Sequence, residues 1–127
     1  MKIIPAAENL HLTLDSGGVR IPLEYNSNDK GSLFAGSIYA GAVMAGYRLA
    51  EELFASRKII GDLVAKEARI RYLKQLLSDG IAVASASEEP VHKTNGNYTL
   101  DVTITVNDSQ GILCAELIVD FILLLPR

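Results

Sequence analysis

Tryptophan is missing from this chain, and cysteine occurs once, at Cys114. A lone cysteine cannot close an internal disulfide, so packing alone must hold the fold, and a reducing, cytoplasmic setting is expected. Histidine is nearly absent too: His11 and His92 are the two in the chain. Neither stands at a metal-ligand spacing from a partner, so no metal and no cofactor is expected. Positive charge is not in excess, since 12 Lys and Arg face 15 Asp and Glu for a net charge of -3. That balance excludes a dedicated nucleic-acid binder. The uncharged run from Ser32 to Tyr47 is shorter than the roughly 18–20 apolar residues a membrane span needs. It reads as a buried helix, and no membrane partner is expected. Met1-Lys2-Ile3-Ile4-Pro5 is followed by Glu8, which is not the pattern of a secretory leader. There is no internal repeat, linker or low-complexity segment.

What is present describes a globular chain. At 127 residues, 49% hydrophobic and 21% charged, the sequence is long enough for one domain, residues 1–127, with a core of its own. Strands are marked by alternation. Leu10, Leu12 and Leu14 alternate with His11 and Thr13, and Asp15-Ser16-Gly17-Gly18 is a turn cluster. Val19, Ile21, Leu23 and Tyr25 alternate with Arg20, Pro22 and Glu24. Pro22 has no ladder N–H, which predicts an edge or a bulge there. Later the pattern is cleaner: Tyr98, Leu100, Val102, Ile104 and Val106 alternate with polar residues. Asn107 to Gly111 then turns the chain into the apolar run from Ile112 to Leu125. Ile81 to Ser87 is a shorter strand, and Pro90 to Gly96 a loop.

The long helix opens near Ser32, a residue type suited to an N-cap, and returns to water at Glu51 and Glu52. It is apolar on every face, as expected of a helix buried all round. Ala35, Gly36, Ala40, Gly41, Ala42, Ala45 and Gly46 are small. Each interior glycine costs about 1 kcal/mol relative to alanine, so these residues imply either close packing or a ligand tunnel. The segment from Leu63 to Leu77 suits an amphipathic helix by one spacing (Leu63, Glu67, Ile70, Leu73, Leu77) and a strand by another (Ala68, Ile70, Tyr72).

The helix start is the candidate site. Asn28-Asp29-Lys30-Gly31-Ser32-Leu33-Phe34-Ala35-Gly36-Ser37 stops one strand-like region and opens the helix. Unpaired N–H groups and the positive dipole end of a first helical turn hold an electron-rich oxygen. Gly31 and Gly36 let a ligand approach the backbone, and Asn28 can both donate and accept. A capped helix with small packing residues fits the same pattern.

The spacing Asn28-x-x-Gly31-x-x-Phe34-Ala35-Gly36 resembles the Asn-x-x-Gly-x-x-His-Gly-Gly signature of hotdog-fold acyl-CoA thioesterases. Residues 28–37 are still more similar to the Asn-Asp-Lys-Gly-[Ser/Thr]-x-Phe-x-Gly-Ser signature of a thioesterase family that also occurs behind acetyltransferase domains. Ile70-Arg71-Tyr72-Leu73-Lys74 resembles that family's Tyr-Leu-Lys-Pro strand, with Gln75 where proline is common. The resemblance spans nearly the whole chain. It favours a strand from about Asp62 to Lys74, giving two strands, one long helix and four strands. With no helices for crossovers the sheet is then antiparallel. The implied class is α+β, a hotdog fold in which an antiparallel sheet wraps one long central helix.

The resemblance also implies chemistry. An acyl-CoA or acyl-carrier-protein thioester would lie along the helix, its carbonyl oxygen facing N–H groups near Phe34, Ala35 and Gly36, an oxyanion hole. Asn28 would orient water or thioester. Ile38, Tyr39 and Val43 would wall the tunnel, with strands of a second subunit in a homodimer or dimer of dimers. On that reading Asn28, Asp29 and Gly36 carry catalysis, and Gly31, Phe34, Ala35, Ser37 and Tyr39 bind substrate. Two departures favour the alternative of a binding module without turnover. Phe34 replaces the broader signature's histidine, and Val43 stands where a helix carboxylate often serves as base. Asp29, Asp62, Glu67, Glu51 and Glu52 remain as candidate bases. Ser37 has no neighbouring histidine to activate it. Lys66, Arg69, Arg71 and Lys74 either meet coenzyme A phosphates or form a solvated face. Cys114 reads as a small core residue. Asp120, between Val119 and Phe121, must face water or a specific partner.

Overall fold

The structure, a computed structural model, describes residues 4–15 and 17–126. The leader reading of residues 1–3 and the turn residue Ser16 lie outside the described residues. The elements in chain order are α1 (Pro5–Asn9), β1 (Thr13–Asp15), β2 (Gly18–Ile21), α2 (Leu23–Asn26), α3 (Ala35–Ser56), β3 (Asp62–Tyr72), β4 (Gly80–Ser85), β5 (Val91–His92), β6 (Tyr98–Asn107) and β7 (Leu113–Leu124). The strands form one sheet in the order β1-β2-β4-β6-β7-β3, with β5 beside β6, and every pairing is antiparallel. The sheet wraps α3, as a hotdog fold does. The inward faces of β6 and β7 close the core: Val102, Ile104, Val106, Leu117 and Val119 are fully buried against the helix layer.

The small helix residues are packing devices. A Cβ on Gly41 would collide with the side chain of Ile21 on β2. A Cβ on Gly46 would lie 2.9 Å from Ile104 Cδ1 and 3.2 Å from Phe121 Cε2. Ala42 and Ala50 are fully buried. Of the two readings of this row, close packing is the one the structure bears out at Gly41, Ala42 and Gly46.

Several local expectations are corrected. Leu10 is the C-cap of α1, and His11 takes φ 56°, so the first strand is reduced to Thr13–Asp15. The strand expected through Tyr25 stops at Ile21, and Leu23–Asn26 is a helical turn. Pro22 is the residue that ends it: φ is -75° there, and the following Leu23 N–H donates to Asp79 Oδ1 at 2.8 Å. Tertiary hydrogen bonding thus overrides alternation. Nor is β2 an edge, since β1 and β4 flank it. Ser32 does not cap α3: Phe34 holds the N-cap position without a side-chain bond, and Ser32 is buried in the preceding turn. The ambiguous segment is strand β3, at the sheet edge.

Candidate active site at the start of the long helix

The segment from Ser27 to Leu33 is a tight β-type loop, its ends bridged to each other. Asn28 N–H donates to the Ser32 carbonyl at 2.8 Å. Asn28 Oδ1 accepts from the N–H groups of Lys30 (2.8 Å) and Ser32 (3.1 Å), and its Nδ2 donates to Ser32 Oγ at 2.8 Å. An Asx turn of this kind uses the side chain to mimic a backbone turn. Gly31 carries φ 79°, which an L side chain rarely adopts. These are the physical reasons for Asn at 28 and Gly at 31.

The loop delivers the chain to α3 at a defined angle. Phe34 N–H donates to the Asn26 carbonyl at 2.8 Å, and Leu33 N–H to the Leu76 carbonyl at 2.9 Å. Asn26, missed by the sequence reading, is buried and anchors this entry: its Nδ2 donates to the carbonyls of Leu10 (2.8 Å) and Pro22 (2.9 Å). A second asparagine two residues before Asn28 was the available signal. Of the three amides expected to form the oxyanion hole, that of Phe34 is therefore committed. Those of Ala35 and Gly36 bond no backbone carbonyl among the described residues, and both residues are exposed. They are the orphan donors of the helix. Phe34 turns its ring onto Gly36, where a Cβ would lie 2.6 Å from Phe34 Cε2. Glycine at 36 thus leaves room for the ring and keeps the amide open.

The two sequence motifs converge here. Asn28, Ser32, Leu33, Ala35 and Ile38 line one side of a groove of about 360 Å³, and Tyr72, Leu73, Lys74, Gln75 and Leu76 line the other. Tyr72 donates its phenolic O–H to the Ala35 carbonyl at 2.9 Å. Burial first, and the nearby Tyr39 phenol second, push the Tyr72 pKa up. Asp29, Gly31, Phe34, Gly36, Ser37 and Tyr39 flank the groove in sequence without lining it. Asp29 is 84% exposed at its side chain and faces Lys30 Nζ at 3.1 Å. Ser37 is buried, and Tyr39 is 38% exposed. Among the described residues, no carboxylate or histidine lines the groove.

A larger concavity, about 560 Å³, lies on the outer sheet face between Glu67, Arg69, Asp101, Ile118 and Asp120. Its chemistry is wrong for an anionic thioester carrier. Asp120 stands opposite Asp101 on one side and Glu67 on the other. Burial and then the Asp101 charge hold its pKa up, only partly offset by Lys66. Arg69 and Arg71 belong to this solvated face, Arg71 being 3.7 Å from Glu116. Lys74 is the basic residue at the groove. His11 stacks on Tyr25 and His92 on Tyr98. No cluster among the described residues could hold a metal ion. Cys114 is buried, free and has a raised pKa, chiefly from burial.

A loop built on asparagine and glycine leads into a helix with two amides that bond no backbone carbonyl among the described residues, beside a groove. Residues 4–123 match the family model described as "Putative thioesterase (yiiD_Cterm)", and the chain belongs to that family. The fold is shared with solved structures. One from Shewanella oneidensis, titled a putative thioesterase, is 23% identical with a TM-score of 0.83, covering 95% of this chain and 89% of that one. A Haemophilus influenzae structure titled a thioesterase is 16% identical (TM-score 0.76; 96% and 85% covered). A Bacillus halodurans protein, in a crystal structure with CoA, is 20% identical (TM-score 0.75; 96% and 78% covered). The comparison with curated proteins found no match.

Proposed function

We propose that this protein hydrolyses an acyl thioester, carried on coenzyme A or on an acyl carrier protein, at the N-terminus of α3. The observation that carries the reading is the pair of amides, Ala35 and Gly36, that bond no backbone carbonyl among the described residues, beside the groove where both motifs meet. The thioester carbonyl oxygen sits against these amides. Water adds to the carbonyl carbon as a base takes its proton, and the oxyanion that forms is held by the two N–H groups. The C–S bond then breaks, the thiolate takes a proton, and the carboxylic acid leaves. Asn28 fixes the loop and presents its Nδ2 beside the groove. Lys74 meets carrier phosphate as a point charge. The CoA seen in the Bacillus halodurans relative supports that carrier class.

Among the described residues of one chain, no carboxylate or histidine lines the groove to serve as base. It ends at Tyr72 on β3, the long exposed edge of the sheet. We place a second copy against that edge, in a homodimer or dimer of dimers, with the base on the adjoining chain; Asp62 and Glu67 are the carboxylates of that strand. No helix among the described residues is long and apolar enough to cross a membrane, and the free, buried Cys114 fits a reducing cytoplasm.

The test is a hydrolysis screen across acyl-CoA chain lengths and acyl carrier proteins, with detection of the released thiol. Release above the uncatalysed blank is expected for at least one acyl class. No release anywhere, with saturable binding of a non-hydrolysable acyl-CoA thioether, establishes the binding-module alternative instead.

A further inference from the structure

We infer that Tyr72 is a positioning residue that aims and strengthens the Gly36 oxyanion donor. This rests on the thioester reading of the groove. The Ala35 carbonyl and the Gly36 N–H are two ends of one peptide unit, which is planar and conjugated. Tyr72 donates its O–H to that carbonyl at 2.9 Å, from β3, 37 residues further along the chain. Two consequences follow. The bond pins the peptide plane, and so the direction of the Gly36 N–H. It also draws electron density toward the oxygen, leaving the N–H a better donor, by the cooperativity that runs along hydrogen-bonded chains.

The surroundings agree with this assignment. The Gly36 amide gives no bond to a backbone carbonyl among the described residues, so its orientation is not otherwise fixed from the donor side. Ala35 is the first residue of α3, where a helix frays most easily. A phenol is protonated, and therefore a donor, throughout the neutral range, and burial pushes the Tyr72 pKa further up. Tyr72 is 49% exposed, more than a residue kept only for core packing would be.

The test is Tyr72→Phe, which keeps the ring in the groove wall and removes only the hydroxyl. With the best thioester from the chain-length screen, kcat should fall about three- to ten-fold while KM stays within about two-fold, because the bond matters most as charge develops on the oxyanion. The Gly36 amide proton should move upfield in the ligand-free protein, as a less polarised N–H does. An unchanged kcat overturns the inference. So does a raised KM with the Gly36 resonance unmoved, since Tyr72 would then act on the acyl chain directly. Should the wild type release no thiol, the hydrolytic reading fails and Tyr72 is judged on the acyl-CoA thioether. The Gly36 amide should then shift on binding in the wild type and shift less in Tyr72→Phe. A wild-type Gly36 amide that ignores the thioether overturns the inference along with the site.

Discussion

Asn28 shapes its loop, and the proposed mechanism gives it a second job at the thioester; a pair of substitutions separates the two. Its side chain makes three hydrogen bonds within the loop, each worth about 0.5–1.5 kcal/mol net. Asn28→Ala should therefore lower stability by about 1–3 kcal/mol in urea unfolding, and lower turnover about ten- to a thousand-fold, as loss of a positioned polar group does. Asn28→Asp keeps an oxygen for the Lys30 and Ser32 amides and removes the Nδ2 donor. If it restores stability but not turnover, Nδ2 acts on thioester or water. If turnover follows stability, the asparagine works only by shaping the loop. Asp29 provides the contrast. It is exposed and, among the described residues, paired only with its neighbour Lys30, so Asp29→Ala should leave turnover within about two-fold, whereas a true base would cost roughly 100-fold or more.

Elements explain what was legible and what was not. The long helix was readable because its small, uncharged run has few alternatives, and β6 and β7 because one face of each is buried and the other is not. The β3 segment was ambiguous for a physical reason. A bulge between Ala65 and Glu67 reverses the parity of the strand, so Leu63 and Ile70 share a face at a spacing of seven, which mimics a helix. An edge position also leaves most of its side chains exposed, weakening alternation further. The α2 turn was invisible because Asp79, 56 residues beyond Leu23, helps to set it. Of the candidate site, the Asn28–Ser37 motif stood out in the sequence, while the Asn26 anchor and the Tyr72 bond to Ala35 depend on the folded chain.

Two predictions belong to this scale. Gly41→Ala gains helix propensity of about 1 kcal/mol but drives a methyl into Ile21, so it should destabilise by about 1–3 kcal/mol. In an Ile21→Ala background the same change should cost much less, and a double-mutant cycle reads the coupling. Additive costs would mean the glycine answers to something other than Ile21. On the outer face, Asp120 has a raised folded-state pKa. A raised carboxyl pKa favours the protonated fold, so this contribution is present at low pH and is lost as pH rises through the folded pKa. Asp120→Asn should therefore raise the melting temperature at pH 7. The gain should shrink as pH falls through the raised folded pKa and be gone by about 4, the ordinary carboxylate value of the unfolded chain. A gain independent of pH would show that charge is not its cause.

At the scale of the molecule the decisive feature is the asymmetry of the two sheet edges. One is β1, three residues long. The other is β3, eleven residues long, flanked only by β7 and exposing Val64 and Tyr72. Natural sheets seldom leave a long edge open, because its unpaired backbone groups recruit another strand. A two-fold partner is the simplest occupant, since an antiparallel strand pairs with its own copy. The groove reaches this same strand at its last residue, Tyr72, so pairing there would also wall the site and bring a carboxylate to it. Assembly and activity should then be one equilibrium. Light scattering should give at least twice the monomer mass at micromolar concentration. On dilution, activity per chain should fall together with the mass, and it should recover on reconcentration. A stable monomer with full activity per chain would remove the second copy from the site, and the base would have to be sought within the chain itself. A dimer whose activity per chain survives dissociation would keep the interface and deny it a catalytic part.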